Sequence, residues 1–236
     1  MSKRAVILAG GKGTRLRPYT LVLPKPLMPI GEFPILEVVI KQLVSVGFTH
    51  ITLAVNHQAE IIQAFFGDGK KWKVKIDYSL EDNPLGTMGP LKLIKDLPYN
   101  FLVMNGDVLT DLNYRDFYET HIKHGELFTV SSYDREQLVD FGVLETTNAY
   151  LVGLREKPRM RFEVSMGVYM MSRKALDFIP ADEEYGFDQL MQDLVAANQK
   201  VVVRKFNGYW LDIGRQDDYA QAIDEFDSMR ARFITD

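Results

Sequence analysis

A continuous apolar run near the N-terminus, Ala5 to Ala9, is the feature that most restricts how this chain can fold. Such a run without alternation is typical of a strand buried on both faces, as in parallel sheets covered by helices. The run ends at Gly10 and Gly11, so a tight loop follows the strand directly. It is too short for a signal peptide or a membrane span, and no membrane association is expected.

Apolar segments of strand length alternate with segments of helical periodicity through the first half of the chain. The alternation predicts right-handed crossovers in an α/β fold, with a mixed, mostly parallel central sheet and helices on both faces. A ligand site is then expected at the carboxyl ends of the strands. The expected strands are 5–9, 51–55, 74–78 and 101–104, and the expected helices are 34–46, 58–66 and 89–97.

The second half carries shorter strand candidates and is expected to extend the same sheet with antiparallel strands and a small excursion. No repeat or linker interrupts it, so one domain over residues 1–236 is expected. The expected strands are 128–133, 142–145, 150–155, 164–171 and 201–206, and the expected helices are 114–124, 190–197 and 219–233.

Charge is unevenly distributed along the chain. Residues 1–31 contain six basic side chains and no acidic one, whereas the remainder has 22 basic and 32 acidic residues, a net charge of −10. A basic segment on an acidic body predicts a local anion site, and the overall acidity argues against a nucleic-acid surface. The absence of cysteine excludes disulfides and thiolate metal sites and favours a cytoplasmic setting. The six basic residues are Lys3, Arg4, Lys12, Arg15, Arg17 and Lys25.

The loop after the first strand, Leu8-Ala-Gly-Gly-Lys-Gly-Thr-Arg-Leu16, has the composition of a phosphate-binding turn. Glycines let backbone N–H groups approach an anion closely, and Lys12 and Arg15 add positive charge. A tight turn without a ligand is the alternative. The spacing matches neither the P-loop nor the dinucleotide-binding fingerprint, which disfavours a dehydrogenase.

Several motifs together resemble the sugar-1-phosphate nucleotidyltransferases, the nucleotide-sugar pyrophosphorylases. They are the loop 8–18, Leu23-Pro-Lys-Pro-Leu27, Asn105-Gly-Asp107, Arg155-Glu-Lys-Pro158 and Trp210-Leu-Asp-Ile-Gly214. The resemblance implies a Rossmann-like, GT-A-like fold that converts an NTP and a sugar-1-phosphate to an NDP-sugar and pyrophosphate with Mg²⁺. It assigns nucleotide binding to about residues 1–112 and sugar binding to about residues 113–236. The length predicts no appended C-terminal β-helix domain.

The resemblance also assigns the reacting centre. Arg15 matches an arginine near the leaving pyrophosphate, and Lys25 matches a lysine on the phosphates. Asp107 and Asp212 match the aspartates that hold Mg²⁺, although a turn and a helix cap are the local alternatives. The glycine loop is assigned to the triphosphate through Leu8, Ala9, Gly10, Gly11, Lys12, Gly13 and Thr14.

A separate set of residues is assigned to the sugar phosphate. Glu156 and Lys157 match a pair in which the carboxylate accepts from sugar hydroxyls and the ammonium approaches the phosphate. Gly142 matches a glycine whose backbone meets the sugar. Ser165 stands where many members have asparagine, and this departure leaves the sugar open.

The segment from Glu81 to Thr87 resembles the part of the family that recognises the base. Glu81 stands five residues before Gly86, where uridine- and thymidine-using relatives have glutamine. A carboxylate accepts only, which suits the N1–H and N2–H₂ of guanine, so GTP is expected. If the alignment with the family motif is shifted by one residue, Asp82 takes the place of Glu81.

The nearest candidates are therefore guanylyltransferases for mannose-1-phosphate or a manno-heptose-1-phosphate. A uridylyltransferase for an amino-sugar-1-phosphate is the runner-up, and a non-catalytic nucleotide-sugar-binding regulatory protein is the candidate from another class. The family is often multimeric, which leaves a homo-oligomer open. His57, after the second strand, has no signal beyond that of an ordinary surface or core histidine.

Overall fold

A computed structural model describes residues 3–56 and 58–234, and His57 lies outside these ranges. The strands are β1 (Lys3–Leu8), β2 (Pro29–Ile30), β3 (Phe33–Pro34), β4 (Phe48–Val55), β5 (Lys75–Leu80), β6 (Asn100–Asn105), β7 (Val108–Thr110), β8 (Phe128–Leu138), β9 (Val143–Thr147), β10 (Tyr150–Arg155), β11 (Arg159–Ser172), β12 (Val201–Phe206) and β13 (Trp210–Asp212). The α-helices are α1 (Ile35–Ser45), α2 (Ala59–Phe66), α3 (Tyr114–His124), α4 (Phe187–Ala196) and α5 (Gln216–Phe233).

Seven strands form the central sheet in the order β12-β8-β11-β6-β1-β4-β5. All neighbouring pairs are parallel except those of β11, which runs antiparallel to β6 and β8. The expected mixed, mostly parallel sheet is confirmed. The expectation that the second half extends this sheet with antiparallel strands is confirmed for β11, which runs antiparallel to β6 and β8, whereas β8 and β12 run in the same direction as β6. Helix α3 carries the chain back between β6 and β8, so these two strands run in the same direction.

Helices cover both faces of this sheet, as the unalternating apolar run of β1 predicts. Ala5 and Ile7 face a core cluster that contains the apolar sides of α1, α2 and α3. Val6 faces the opposite cluster, which contains α4. Within the described ranges, none of the helices has the length and apolarity that crossing a bilayer would require.

Helix α3 spans the residues that the sequence predicts, because its ends carry their own stop signals. The Asn113 side chain accepts a hydrogen bond from the backbone N–H of Asp116 at 3.0 Å, capping the N-terminus. Gly125 ends the helix in the left-handed conformation, with φ of 65°.

The helix expected over 89–97 is wrong. Only a short 3₁₀ helix, Gly89–Leu93, forms there, and the N–H of Gly89 bonds to the carbonyl of Tyr185. The large buried side chains of this segment recur every third position, at Met88, Leu91, Ile94 and Leu97, and Gly89 and Pro90 are buried as well. This spacing matches the three residues per turn of a 3₁₀ helix.

Two short antiparallel ribbons extend the fold beyond the central sheet. The β2–β3 ribbon precedes α1, and the β7–β13 ribbon joins the segment after β6 to the segment before α5. A third core cluster fills the space between α1, α5 and these ribbons. Helix α5 therefore fixes the ribbon that follows the carboxyl end of β6.

Candidate active site

A cavity of about 480 Å³ lies at the carboxyl ends of β1, β4 and β6, where Leu8, Ala54 and Asn105 form part of its wall. Its size is that of an ordinary small-molecule site. The sequence-predicted residues that line it are Leu8, Ala9, Gly10, Gly11, Lys12, Arg15, Lys25, Glu81, Gly86, Thr87, Asp107 and Asp212. Residues from both halves of the chain thus meet at the predicted edge of the sheet.

Gly13 and Thr14 are predicted to bind the nucleotide but are not part of the cavity wall. Gly13 has φ of 59°, and its carbonyl accepts a hydrogen bond from the Thr20 hydroxyl at 2.7 Å. A Cβ at Gly13 would collide with the Thr20 side chain. The glycine is therefore required by the turn and by the close packing beneath it.

Lys25 projects into the cavity from a 3₁₀ helix, Lys25–Leu27, and its ammonium forms an ion pair with Asp107. Burial lowers the pKa of Lys25 to about 8, Asp212 opposes this shift, and Arg15 adds to it. A Cβ at Gly214 would collide with the Lys25 ammonium. The cation is thus held in a narrow space between the two aspartates.

The β7–β13 ribbon brings Asp107 and Asp212 to the same end of the cavity. Asp212 pairs with Val108, and the Ile213 N–H donates to the Asp107 carbonyl at 2.9 Å. The Gly214 N–H donates to Asp212 Oδ1 at 2.9 Å, which orients that carboxylate.

This pair of carboxylates fits a magnesium ion that also binds phosphates. Mg²⁺ in such sites uses one or two carboxylates together with phosphate oxygens and water. Across residues 3–56 and 58–234, no cluster of three or more His, Cys, Asp or Glu side chains could hold a metal by itself. The two carboxylates therefore suit a cation whose other ligands include phosphate oxygens of the substrate.

An ion pair behind Asp212 is part of the site that motif analysis missed. Arg135 on β8 donates to both oxygens of Asp218, at 2.8 and 2.5 Å. Asp218 is 3% exposed and also accepts the backbone N–H of Asp212 at 3.1 Å. No local motif marks either residue, because Asp218 resembles an ordinary acidic residue in the first turn of α5.

The opposite end of the cavity is formed around Glu81. Its Oε2 accepts the Leu85 N–H at 3.0 Å, and a Cβ at Gly10 would lie 3.2 Å from its Oε1. Burial raises the pKa of Glu81, while hydrogen bonds from Leu85 and Asn56 oppose the shift. Asp82 is exposed and does not line the cavity, whereas Glu81 does.

A segment around Tyr185, from the second half of the chain, packs against the Glu81 end of the cavity. The Tyr185 carbonyl accepts the N–H groups of Met88 and Gly89 at 2.9 and 3.1 Å. A Cβ at Gly86 would collide with the Tyr185 backbone. The packing places the side chain of Glu184 on the cavity wall, a position that the sequence did not indicate.

The residues predicted for sugar binding lie outside this cavity, on or next to an exposed extension that we call the arm (residues 136–165). Gly142 and Glu156 are adjacent, since a Cβ at Gly142 would lie 3.0 Å from Glu156 Oε2. Lys157 pairs with Asp140 at 3.2 Å. Ser165 accepts the Gly167 N–H at 3.2 Å.

The chain is similar to known proteins in sequence and in fold. A family model described as nucleotidyl transferase matches residues 4–228. The UTP–glucose-1-phosphate uridylyltransferase of Synechocystis sp. is 34% identical, over 93% of this chain and 62% of its own length. Mannose-1-phosphate guanylyltransferase 1 of Arabidopsis thaliana is 32% identical, over 97% of this chain and 66% of its own length.

The chain therefore spans 62–66% of the length of these two curated relatives. Among solved structures, HddC from Yersinia pseudotuberculosis complexed with GMP-PN is similar, with a TM-score of 0.71 and 26% identity. That similarity covers 95% of this chain and 99% of the HddC chain.

Proposed function

The chain belongs to the nucleotidyl transferase family, and on that premise we propose that it transfers the nucleoside monophosphate of an NTP to a sugar-1-phosphate. The preferred substrates are GTP and a mannose- or manno-heptose-type sugar-1-phosphate. The observation that carries this proposal is one cavity that contains a cationic glycine loop, a buried lysine and two aspartates.

The reaction joins two anions. A phosphate oxygen of the sugar-1-phosphate attacks the α-phosphorus of the NTP in line, and the bond from that phosphorus to the bridging oxygen breaks. Pyrophosphate leaves with that oxygen and the electron pair of the broken bond. Catalysis then depends mainly on holding the two phosphates together and neutralising their charge.

Charged residues of the cavity divide the binding and neutralisation of the phosphates among them. The loop amides with Lys12 and Arg15 bind the triphosphate and the departing pyrophosphate. Lys25 binds the phosphates at the reacting centre, where burial strengthens its electrostatic effect. Asp107 and Asp212 would hold Mg²⁺, which supplies charge neutralisation to the phosphate oxygens when bound.

Guanine recognition is assigned to Glu81. An ionised carboxylate has about four acceptor positions. Leu85 and the Asn56 side chain use two of them. The remaining positions suit the adjacent N1–H and N2–H₂ donors of guanine. The GMP-PN complex of HddC and the guanylyltransferase relative support this preference.

The sugar phosphate is assigned to the region where the arm joins the body. Glu156 would accept from sugar hydroxyls beside the Gly142 backbone, and Lys157 would approach the phosphate. Both side chains are exposed, and the Lys157 partner, Asp140, is also exposed. A surface pair of this kind costs little to separate, so Lys157 is available to a phosphate.

A pyrophosphate assay tests the proposal. Purified protein is mixed with Mg²⁺, each common NTP and a panel of sugar-1-phosphates, and pyrophosphate release is measured. We expect the highest kcat/KM with GTP and a manno-configured sugar phosphate. Tight nucleotide binding without pyrophosphate from any pair would contradict catalysis and favour the regulatory alternative.

Uridylyl transfer is the second candidate, and the similarity to the Synechocystis uridylyltransferase favours it. A pyrimidine dione would set a carbonyl oxygen against the Glu81 carboxylate, which is unfavourable if that group is ionised. Turnover with UTP that exceeds turnover with GTP would support this candidate.

A further inference from the structure

Glu184 lines the active-site cavity but has no part in the phosphate chemistry assigned to the other charged residues. Four carboxylates lie on the cavity wall, those of Glu81, Asp107, Glu184 and Asp212. The other three are engaged: Asp107 pairs with Lys25, and Glu81 and Asp212 each accept a backbone N–H. Within the described ranges, the Glu184 side chain has no hydrogen bond or ion pair. All its acceptor positions are therefore available to a ligand.

The backbone beside Glu184 is fixed on the segment predicted to recognise the base. The next residue, Tyr185, donates its N–H to the Leu85 carbonyl at 3.0 Å. Its own carbonyl accepts the N–H groups of Met88 and Gly89 at 2.9 and 3.1 Å, and its side chain is buried. A carboxylate on a backbone held in this way loses little freedom when it binds a ligand.

Two further contacts join the same two segments into one wall. Gly86 has φ of 74°, and a Cβ there would lie 2.7 Å from the Tyr185 carbonyl oxygen. The Thr87 hydroxyl accepts the N–H of Phe187, 100 residues further along the chain, at 2.8 Å. Gly86, Thr87 and Glu184 thus line the cavity together at the end that also contains Glu81.

The chemistry of a carboxylate restricts what Glu184 can bind. An ionised carboxylate only accepts hydrogen bonds, and it repels phosphate groups. The donors on an NTP and a sugar-1-phosphate are the N–H groups of the base and the hydroxyls of the two sugar rings. Glu81 is assigned to the base. The hydroxyls remain, and they are present whichever base the NTP carries.

We propose that Glu184 is a specificity-determining residue that accepts hydrogen bonds from hydroxyl groups of a sugar ring bound in the cavity. The inference rests on the proposed function. The two oxygens of one carboxylate suit two neighbouring hydroxyls. Two rings bring such hydroxyls into the cavity, the ribose of the NTP and the ring of the sugar-1-phosphate.

The exposure of Glu184 sets the size of the expected effect. A site that binds a hydroxyl through a charged acceptor discriminates against an analogue without that hydroxyl. Glu184 is exposed, so water competes for its oxygens and reduces the gain. We therefore expect a discrimination of roughly tenfold, the low end for hydrogen bonds to charged groups.

Calorimetric titration measures the ligand affinities without requiring turnover. The nucleotides are GTP and UTP with their 2′-deoxy and 3′-deoxy analogues. GDP-mannose and UDP-glucose, compared with GDP and UDP, report on the second ring. Glu184→Ala is compared with Glu183→Ala, which removes the same charge from an exposed neighbour that does not line the cavity.

Glu184→Ala should weaken only the binding of ligands that carry the hydroxyl it contacts. If that hydroxyl belongs to the ribose, the roughly tenfold loss for GTP or UTP should disappear with a deoxy analogue. If it belongs to the second ring, the nucleotide-sugar should lose affinity while GDP or UDP does not. Glu184→Gln keeps one acceptor oxygen and should recover part of the loss. Glu183→Ala should change none of these affinities.

No change with Glu184→Ala, or the same change for every ligand, would overturn the inference. A uniform rise in affinity would show that Glu184 acts only by repelling phosphate charge. Equal effects of Glu184→Ala and Glu183→Ala would also contradict it. Wild-type protein that binds no nucleotide would overturn the proposed function as well, whereas binding that is insensitive to Glu184 contradicts this inference alone. Thermal unfolding of each variant checks the fold.

Discussion

Lys25 shows how single residues determine the chemistry of the cavity. Its ammonium pairs with Asp107, and burial lowers its pKa to about 8 despite the opposing charge of Asp212. The buried cation balances carboxylates that would otherwise repel the phosphates of a substrate. Its position depends on Gly214, where a side chain would occupy the same space.

Gly214→Ala should therefore displace Lys25 without unfolding the protein. Since no positive φ is required at Gly214, the added methyl group acts through contact with Lys25. We expect kcat/KM to fall by about tenfold or more, which is about 1.4 kcal/mol of transition-state stabilisation. Pyrophosphate release gives the rate, and thermal unfolding serves as the check on the fold. An unchanged rate would show that the reaction does not require this position of Lys25.

Glu81→Gln should shift the preference from GTP towards UTP. The amide can accept from the pyrimidine N3–H and donate to a carbonyl, whereas guanine loses one acceptor. We expect the GTP-to-UTP ratio of kcat/KM to change by about tenfold or more. Asp82→Asn, at the exposed neighbouring residue, is the matched control. If Asp82→Asn changed the ratio and Glu81→Gln did not, the assignment of Glu81 would be wrong.

At the scale of secondary-structure elements, the orientation of Asp212 depends on elements other than its own strand. The β7–β13 ribbon carries Asp212, but the Arg135–Asp218 ion pair links that ribbon to β8 and α5. The backbone of Asp212 on β13 is therefore fixed only when β8 and α5 are also in place. The position of Asp212 thus depends on β8, which is distant in sequence from both β13 and α5.

Asp218→Asn should weaken metal binding by loosening Asp212. The amide accepts through one oxygen, so it cannot serve both Arg135 oxygen contacts and the Asp212 N–H as the carboxylate does. We expect a roughly tenfold lower affinity for Mn²⁺, measured by its paramagnetic resonance signal with nucleotide present, the lower end of the 10–100-fold loss usual for groups behind metal ligands. Asp217→Asn, exposed at the preceding residue, should leave this affinity unchanged. Equal affinities for the two variants would contradict a positioning role.

Helix α3 gives the fold a dependence on pH. His121 is fully buried on α3, its Nδ1 lies 2.8 Å from the Thr129 hydroxyl on β8, and Nε2 has no hydrogen-bond partner. Burial lowers the pKa of His121 to about 4, and the positive charge of Arg204 adds to the shift. The unfolded chain, with a pKa near 6.5, therefore binds more protons between these values.

The free energy of unfolding should fall as the pH drops from 6.5 towards 4. At pH 5, His121 should account for a loss of about 2 kcal/mol relative to pH 7. Urea unfolding at both pH values measures this, and His121→Gln should remove most of the difference. His124→Gln, at an exposed position on the same helix, should retain it. If both variants behaved alike, the pH dependence would have another origin.

At the scale of the whole molecule, the arm (residues 136–165) differs in burial from the rest of the described chain, which we call the body. The body has core clusters on both faces of a seven-stranded sheet, whereas the arm has no buried residue. Stability in the body comes from burial within one chain. The arm is held by the β8–β11 and β9–β10 strand pairings and by ion pairs between its own side chains.

Much of the fold could be predicted because it depends on local pattern. The apolar run of β1, the helical spacing of α1 and the ends of α3 are encoded within a few residues each. The sequence predicts one helix over 89–97, whereas only the 3₁₀ helix Gly89–Leu93 forms, because periods of 3.0 and 3.6 are hard to separate in a short segment. The cationic loop and Lys25 were also predictable, since the prolines and glycines around them restrict the backbone locally.

The sequence by itself therefore determined the class of the sheet, the glycine loop at its carboxyl edge and the residue types available for phosphate chemistry. Only the tertiary structure decided that Asp107 and Asp212 meet on one ribbon, that Arg135 and Asp218 fix that ribbon, and that the arm is left without a covering. Local patterns depend on neighbours along the chain, which every fold of the sequence must keep. Contacts between distant segments depend on which surfaces the folded chain buries, and that choice is made by the molecule as a whole.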